Sequence, residues 1–300
     1  MKILVSGSNG LIGSQLTNLL ADKKHSVVRL VRGLTDTRSS GQVVWWDPLE
    51  AKLCPSNFDG IDAVVHLAGA SVVGRWTKAR KHLIRSSRVD GTRLLCETLA
   101  RLESPPKILV STSAIGLYGD RGEELMQENS TAGKGFLAEV ASEWEQATEV
   151  ACGAGMRVVV IRLGLVLTPF GGALAKMLPA FRCGLGGPLG SGNQYMSWVS
   201  LDDVLATINF ALQNDKLSGP FNVVAPEAVT NRVFSTTLAQ ILRRPMLAPV
   251  PAPVLRLVFG REMAEQMLLS STRVEPGRLL EYGFSFTDAN LRSTFERLLR

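Results

Sequence analysis

Gly7, Gly10 and Gly13 follow a Gly-x-x-Gly-x-x-Gly spacing between an apolar run, Ile3, Leu4 and Val5, and a stripe of Leu11, Ile12, Leu16, Leu19 and Leu20 at helical period. Strand, glycine turn and helix in that order form a phosphate cradle. Gly7 and Gly10 leave room for a tight turn and a close approach to a pyrophosphate. Gly13 admits the helix close to the strand, and the helix N-terminus offers unpaired N–H groups to the anion. Gly7, Asn9, Gly10, Leu11, Ile12 and Gly13 are therefore the expected dinucleotide contacts. A glycine triplet can also be a purely structural turn, but the flanking strand and helix favour the cradle.

The next informative position lies about 20 residues beyond the glycines, where a site selective for NAD carries Asp or Glu to accept hydrogen bonds from the ribose 2′-hydroxyl. Here a strand at 26–31 ends in Arg32. A guanidinium cannot accept those bonds but can fork onto a 2′-phosphate, so NADP(H) is the expected cofactor. Arg29, three residues earlier, is left to point elsewhere. Asp47 closes a third strand at 42–46, either as acceptor for the adenine amino group or as a strand-ending turn aspartate. The small-residue exit Leu67-Ala68-Gly69 lets a cofactor pass close to the backbone, whereas His66, inside the same apolar run, reads as a core histidine.

These residues need a sheet to hold them. Apolar runs at 62–69, 108–113 and 156–167 alternate with helical patterns at 77–102 and 136–151, and this rhythm implies right-handed parallel crossovers. The expected fold is α/β, a Rossmann-type doubly wound parallel sheet over residues 1–170 followed by a smaller, substrate-side lobe over 171–300. Beyond residue 171 glycine and proline increase. Gly184, Gly186, Gly187, Pro188, Gly190 and Gly192 crowd one loop, which reads either as a ligand cover or as a connector. Short helices are expected near 201–213, 230–242 and 288–299, with proline-broken segments near 245–260.

At 300 residues and 45% hydrophobic content the chain can bury a large core, as one α/β domain or a domain with an appendage. Charges or prolines interrupt every stretch long enough to span a membrane, and with a first strand beginning at residue 2 a cytoplasmic protein is expected. The cysteines at 54, 96, 152 and 183 show no paired spacing and read as buried thiols, without metal or disulfide. The formal charge of +6 favours anionic small-molecule ligands. Its densest run, Arg75, Lys78, Arg80, Lys81, Arg85, Arg88 and Arg93, reads as a solvated helix face. Without aromatic interleaving or a recognition motif, it does not indicate nucleic acid.

The glycine triplet, His-Leu-Ala-Gly at 66–69, Ser-Arg-Val-Asp-Gly-Thr at 87–92, Ser-Thr-Ser-Ala at 111–114 with Tyr118-Gly119, and Val-Ser-Leu-Asp-Asp-Val at 199–204 together resemble the extended short-chain dehydrogenase/reductases. The stretch 181–192 and the tail from about residue 247 resemble the atypical branch labelled epimerase family protein, which is NAD-dependent epimerase/dehydratase-like. The resemblance implies a Rossmann fold, a nicotinamide cofactor and hydride chemistry on a small substrate. It implies that Ser113 hydrogen-bonds a substrate oxygen, unless it is an ordinary strand-end serine. Arg88 stands where the family carries an asparagine near the nicotinamide ribose and would reach the cofactor's phosphates instead. Met196 stands where sugar-nucleotide enzymes present an arginine.

Active members of that superfamily use Tyr-x-x-x-Lys, in which the lysine lowers the tyrosine's pKa for proton exchange. None of the three tyrosines has a lysine four residues on, and the corresponding places hold Phe136 and Val140. Tyr118 is the nearest phenol, as a displaced acid or as a packed turn residue. Two functions follow: an NADP(H)-dependent oxidoreductase or epimerase with a different proton donor, or a non-catalytic NADP(H)-binding sensor or interaction protein.

Overall fold

The apolar runs form an eight-stranded sheet: β1 (Lys2–Ser6), β2 (Ser26–Arg32), β3 (Gln42–Asp47), β4 (Lys52–Leu53), β5 (Ala63–His66), β6 (Ile108–Ala114), β7 (Arg157–Leu163) and β8 (Gly219–Val223), in the order β8-β7-β6-β5-β1-β2-β3-β4. Every pairing is parallel except β3 with β4. The structure is a computed structural model and describes residues 1–32, 42–48, 50–53 and 58–299. The strand order reverses at β1, so its carboxyl end is the switch point where an open α/β sheet binds ligands.

Strand alternation divides the core into two layers. Ile3, Val5, Ala63, Val65, Ile108 and Val110 face α1 (Leu11–Asp22) and a helix at Leu201–Gln213 through Leu16, Leu20, Val204 and Ile208. Leu4, Val64, Leu109, Val158 and Val160 face the opposite way, onto Leu95, Cys96, Leu99 and Ala151. Helices on both faces are what near-continuous apolar strands require. A smaller lobe packs Leu174, Leu178 and Phe181 against Phe234, Leu238 and Phe295, with the Phe234 and Phe295 rings edge to face at 5.1 Å.

Several elements differ from the sequence expectation. The helical stretch 77–102 is two helices, α2 (Lys78–Ser86) and α3 (Val89–Ala100). Ser87 Oγ accepts from the Ala70 amide, and the Arg88 side chain turns back to the Ala70 and Ile84 carbonyls. Residues 136–151 likewise split into α4 (Phe136–Gln146) and α5 (Glu149–Gly153), where the Thr148 hydroxyl bonds the Glu145 carbonyl. Strand 62–69 is regular only over β5, and 156–167 breaks at Gly164 into β7 and a separate Leu165–Leu167 segment paired with Trp198–Ser200. The helix α6 (Gly172–Arg182) was hidden by Pro179 inside it, and β8 by the Gly219-Pro220 pair. Proline is tolerated in β8 because that strand is at the sheet edge, so the sheet draws its outermost strand from chain beyond residue 171.

Only Cys96 of the three described cysteines is a buried thiol; Cys152 and Cys183 are exposed because they fall at the solvent-facing ends of α5 and α6, and Cys54 lies outside the described residues. Burial, with Glu97 adding to it, pushes the Cys96 thiol up to about 12. Nor is the basic run one solvated face. Lys81 pairs with Glu262 at 2.7 Å, Arg85 with Glu143 at 2.5 Å, and Arg88 turns inward. The glycine-rich loop 184–192 is clasped by the tail, through bonds from Leu247 N to Gly186 O and from Val250 N to Pro188 O.

The tail is held to α7 (Leu201–Gln213) by Asp203, which is fully buried. Its carboxylate accepts the Thr287 and Asp288 amides at 2.9 and 3.0 Å and the Ser200 hydroxyl at 3.1 Å. Asp203→Ala strands those amides and is expected to lower the urea-unfolding free energy by about 2–4 kcal/mol. The neighbouring, half-exposed Asp202 should cost under about 1 kcal/mol when replaced by Ala. Equal losses at the two positions would refute the assignment.

Candidate functional site

The three glycines have distinct reasons to lack a side chain. Gly7 takes φ +66°, and a Cβ there would lie 2.8 Å from the Leu67 carbonyl and 2.9 Å from Ala68 N. A Cβ on Gly13 would collide with the Gly7 carbonyl. At Gly10, by contrast, only the Gly7 oxygen at 3.1 Å limits a Cβ. The chain's own packing does not fill the space over Gly10, and α1 begins there with no side-chain cap and no acid in its first turn. The amides of Leu11, Ile12 and Gly13 lack intrahelical acceptors, as in any first helical turn. A phosphate group fits this cradle by charge and by shape.

Arg32 ends β2, exposed, opposite Trp46 of β3. Arg29, set aside in the sequence, reaches back to the cradle: its Nε donates to Ser8 Oγ at 3.2 Å and its NH2 to Asn9 Oδ1. The Arg29 guanidinium therefore stands at the glycine turn, and Arg32 ends the same strand three residues on. Asp47 Oδ1 accepts the Glu50 amide at 3.3 Å, a turn-capping bond.

On the other side of β1, His66 organises the exit Leu67-Ala68-Gly69. Ser6 Oγ accepts from the Leu67 and Ala68 amides and lies 2.6 Å from His66 Nδ1. An oxygen accepting both amides must turn its own hydrogen to the ring. Nδ1 is therefore the acceptor, and Nε2–H donates to Thr92 Oγ1 at 2.9 Å. Arg88 closes the exit from below. Its NH1 donates to the Ala70 and Ile84 carbonyls, and its Cζ lies 3.2 Å from where a Gly69 Cβ would be and 5.1 Å from the Trp144 ring centre. Burial brings its pKa down to about 10.

Phe136 and Val140 are sealed in an apolar cluster with Ile84, in which Trp76 meets Phe136 edge to face at 5.3 Å and Lys81 Nζ sits 4.5 Å above the ring. Neither place presents a group that exchanges protons. Tyr118 is fully buried. Its hydroxyl donates to Asn222 Oδ1 at 2.7 Å and accepts from Arg162 NH1 at 2.9 Å. Burial raises the phenol above its ordinary pKa, against the pull of Arg162. Tyr118 is thus packed in its turn, with the hydroxyl enclosed and its proton engaged.

Ser113 is joined to this network. Its Oγ donates to Glu145 Oε1 at 2.6 Å, and Arg162 grips the same carboxylate through Nε at 2.9 Å and NH2 at 2.8 Å. Burial opposes the Arg162 charge, but the bonds and charge of Glu145 and Tyr118 leave its pKa raised. Arg162 and Glu145 were missed in the sequence, where the only signal was an arginine inside the apolar run Val158–Leu163. Met196 Sδ accepts from Asn231 Nδ2 at 3.0 Å.

A cavity of about 170 Å³ lies against the first turn of α4, lined by Gly116, Asp120, Lys134, Leu137, Gln266 and Thr272. Gln266 Oε1 accepts the Leu137 amide at 3.1 Å, so the tail caps the helix that Gly135 leaves uncapped. Among the described residues no group of His, Cys, Asp and Glu is placed to hold a metal, and no helix is long and apolar enough to cross a membrane.

A doubly wound sheet with a glycine cradle at its first crossover and a second lobe defines the extended short-chain dehydrogenase/reductase class. Residues 3–225 match the NAD dependent epimerase/dehydratase family, and residues 250–298 match a domain of unknown function, DUF1731. The chain belongs to the NAD dependent epimerase/dehydratase family. It is 39% identical over 285 residues to epimerase family protein Mb2239 of Mycobacterium bovis, covering 95% of this chain and 93% of that one. It is 34% identical over the full length of both chains to human epimerase family protein SDR39U1. A crystal structure of human SDR39U1 (isoform 2) with NADPH superposes with a TM-score of 0.89 over 99% of each chain, at 33% identity. The UDP-glucose 4-epimerase of Thermus thermophilus, solved with NAD, shares the fold at 20% identity, with a TM-score of 0.78 over 100% of this chain and 99% of that one.

Neutral His66 is the folded form, because burial lowers its pKa from 6.5 to about 4. Stability is complete above pH 6.5 and is lost as pH falls toward 4, by about 3 kcal/mol in all. Between pH 7.5 and 5.5 the urea-unfolding free energy should fall by about 1.4 kcal/mol more in the wild-type chain than in His66→Gln. Equal pH dependence would place the charged ring in the folded state.

Proposed function

We propose that the chain is an NADP(H)-dependent oxidoreductase or epimerase acting on a small polar substrate. The observation that carries this reading is the space above Gly10, left clear by the chain at an uncapped helix N-terminus, with Arg32 at the carboxyl end of the neighbouring strand β2. The pyrophosphate would lie against the amides of Leu11, Ile12 and Gly13, the 2′-phosphate against Arg32, and the nicotinamide half beside Leu67-Ala68-Gly69. The NADPH in the structure of human SDR39U1 supports the same cofactor. Free thiols at Cys96, Cys152 and Cys183 suit a reducing, cytoplasmic setting.

The nicotinamide supplies hydride exchange when bound; the chain must handle the proton. Ser113 Oγ, at the carboxyl end of β6, is the group for this role, passing the proton of a substrate hydroxyl to Glu145, while Arg162 stabilises the carboxylate. Arg88 holds the exit strand in place, and the cavity beside Leu137 is sized for a small substrate. The burial of Phe136, Val140 and Tyr118 favours a second reading, a non-catalytic NADP(H)-binding protein. NADPH-dependent turnover in a screen of hydroxy and carbonyl compounds separates the two.

Calorimetry should show NADPH binding at least tenfold more tightly than NADH, and Arg32→Ala should abolish that preference, since one charge-assisted contact is worth about 1.5–3 kcal/mol. Equal affinities for the two cofactors, or a preference retained without Arg32, would overturn the assignment. Gly10→Val should remove NADPH binding while circular dichroism stays native, because the branched side chain would fill the pyrophosphate's place. Unchanged affinity would put the cradle elsewhere.

A further inference from the structure

Phe170 is 85% exposed, the most exposed large apolar residue among those described. It lies between Leu165–Leu167, which continues from β7, and α6, in a segment anchored on both sides by the fully buried Leu167 and Leu174. Its amide bonds Thr168 Oγ1 at 3.4 Å. The next two residues are pinned onto the cradle. A Cβ on Gly171 would lie 2.7 Å from Leu11 Cδ1, and Gly172, at φ +66°, packs on the other Leu11 methyl, 3.3 Å from where its Cβ would be. Leu11 is the first residue of α1. A large, exposed aromatic ring therefore lies one residue from a glycine packed on the side chain of Leu11, the first residue of α1, and it stacks on no other ring among the described residues.

We infer that Phe170 is the cover for the nicotinamide half of the bound dinucleotide, an inference that rests on the NADP(H) reading above. The direction comes from topology. Arg32 ends β2, on one side of the switch point at β1, whereas the Phe170 segment descends from β7, three strands to the other side. With the pyrophosphate on the cradle and the 2′-phosphate at Arg32, the adenine half occupies the β2 side and the other half extends toward β5, β6 and the Phe170 segment. The ring takes the apolar face of the nicotinamide ribose and base and shields them from water, burying apolar surface otherwise left in solvent. The turn that carries it cannot swing away without pulling Gly171 and Gly172 off Leu11.

The test compares NADPH with 2′,5′-ADP, which keeps the adenine half and its 2′-phosphate but lacks the nicotinamide. By calorimetry, Phe170→Ala should weaken NADPH about tenfold and leave 2′,5′-ADP unchanged, whereas Phe170→Trp should retain both affinities. The rise in NADPH fluorescence on binding should shrink in Phe170→Ala. Because the residue is exposed, unfolding midpoints should match the wild type. Unchanged NADPH affinity in Phe170→Ala overturns the inference, as does an equal loss for both ligands, which would put the ring on the adenine side. A wild-type chain that binds 2′,5′-ADP and NADPH equally well overturns the cover while leaving the adenine-side cradle standing. One that binds neither overturns the NADP(H) reading itself.

Discussion

The approach of α1 to the carboxyl ends of β1 and β5 underlies the rest of the site. Gly7 lies against the Leu67 carbonyl and the Ala68 amide, and Gly13 lies against the Gly7 carbonyl, so helix and strands meet through backbone where any side chain would collide. Interiors packed this tightly do not yield to an added methyl group. The same contact sets the height of the helix N-terminus over the sheet and the line of the β5 exit. Leu11 continues it outward by seating Gly171 and Gly172, which couples the second lobe to the cradle. His66 supports the exit from inside, as a neutral ring joining β1, β5 and α3 through Ser6 and Thr92.

At the carboxyl ends of β6 and β7 the chemistry departs from the superfamily pattern. Where the family resemblance puts a phenol and an ammonium, Phe136 and Val140 close an apolar cluster under Trp76. The polar groups there centre on the neighbouring pair Arg162 and Glu145, which gathers Ser113, Tyr118 and the Glu128 carbonyl. A buried ion pair of this kind is poor evidence for stability, since desolvation offsets its attraction. It does orient its members, and the members here include the only hydroxyl the family resemblance ties to substrate.

The tail makes the site a product of the whole chain. Gln266 caps α4, Asp120 accepts the Ser271 amide, and Glu128 accepts the Asn222 and Arg278 amides. Gln266 and Asp120 also line the small cavity beside Leu137. All four bonds run from side chain to backbone across more than 90 residues of sequence, so the second lobe is held by directional bonds as well as by the apolar contacts of Phe234 and Phe295.

The sequence by itself determined the cradle, the basic residue at the end of β2, the doubly wound class and the loss of Tyr-x-x-x-Lys. Each of these is local: a glycine's freedom, an alternating or helical period, or a residue type at a short spacing. Tertiary structure alone decided what side chains do across the sheet. It turned Arg88 inward, although its neighbours in the run are surface ions, and it enclosed Tyr118 through a bond to Asn222, 104 residues away. It paired Glu145 with Arg162 and put Phe170 beside Leu11. The reason is register: which side chains meet depends on how β6, β7 and β8 align and on where α4 and α6 land, and no local period carries that information.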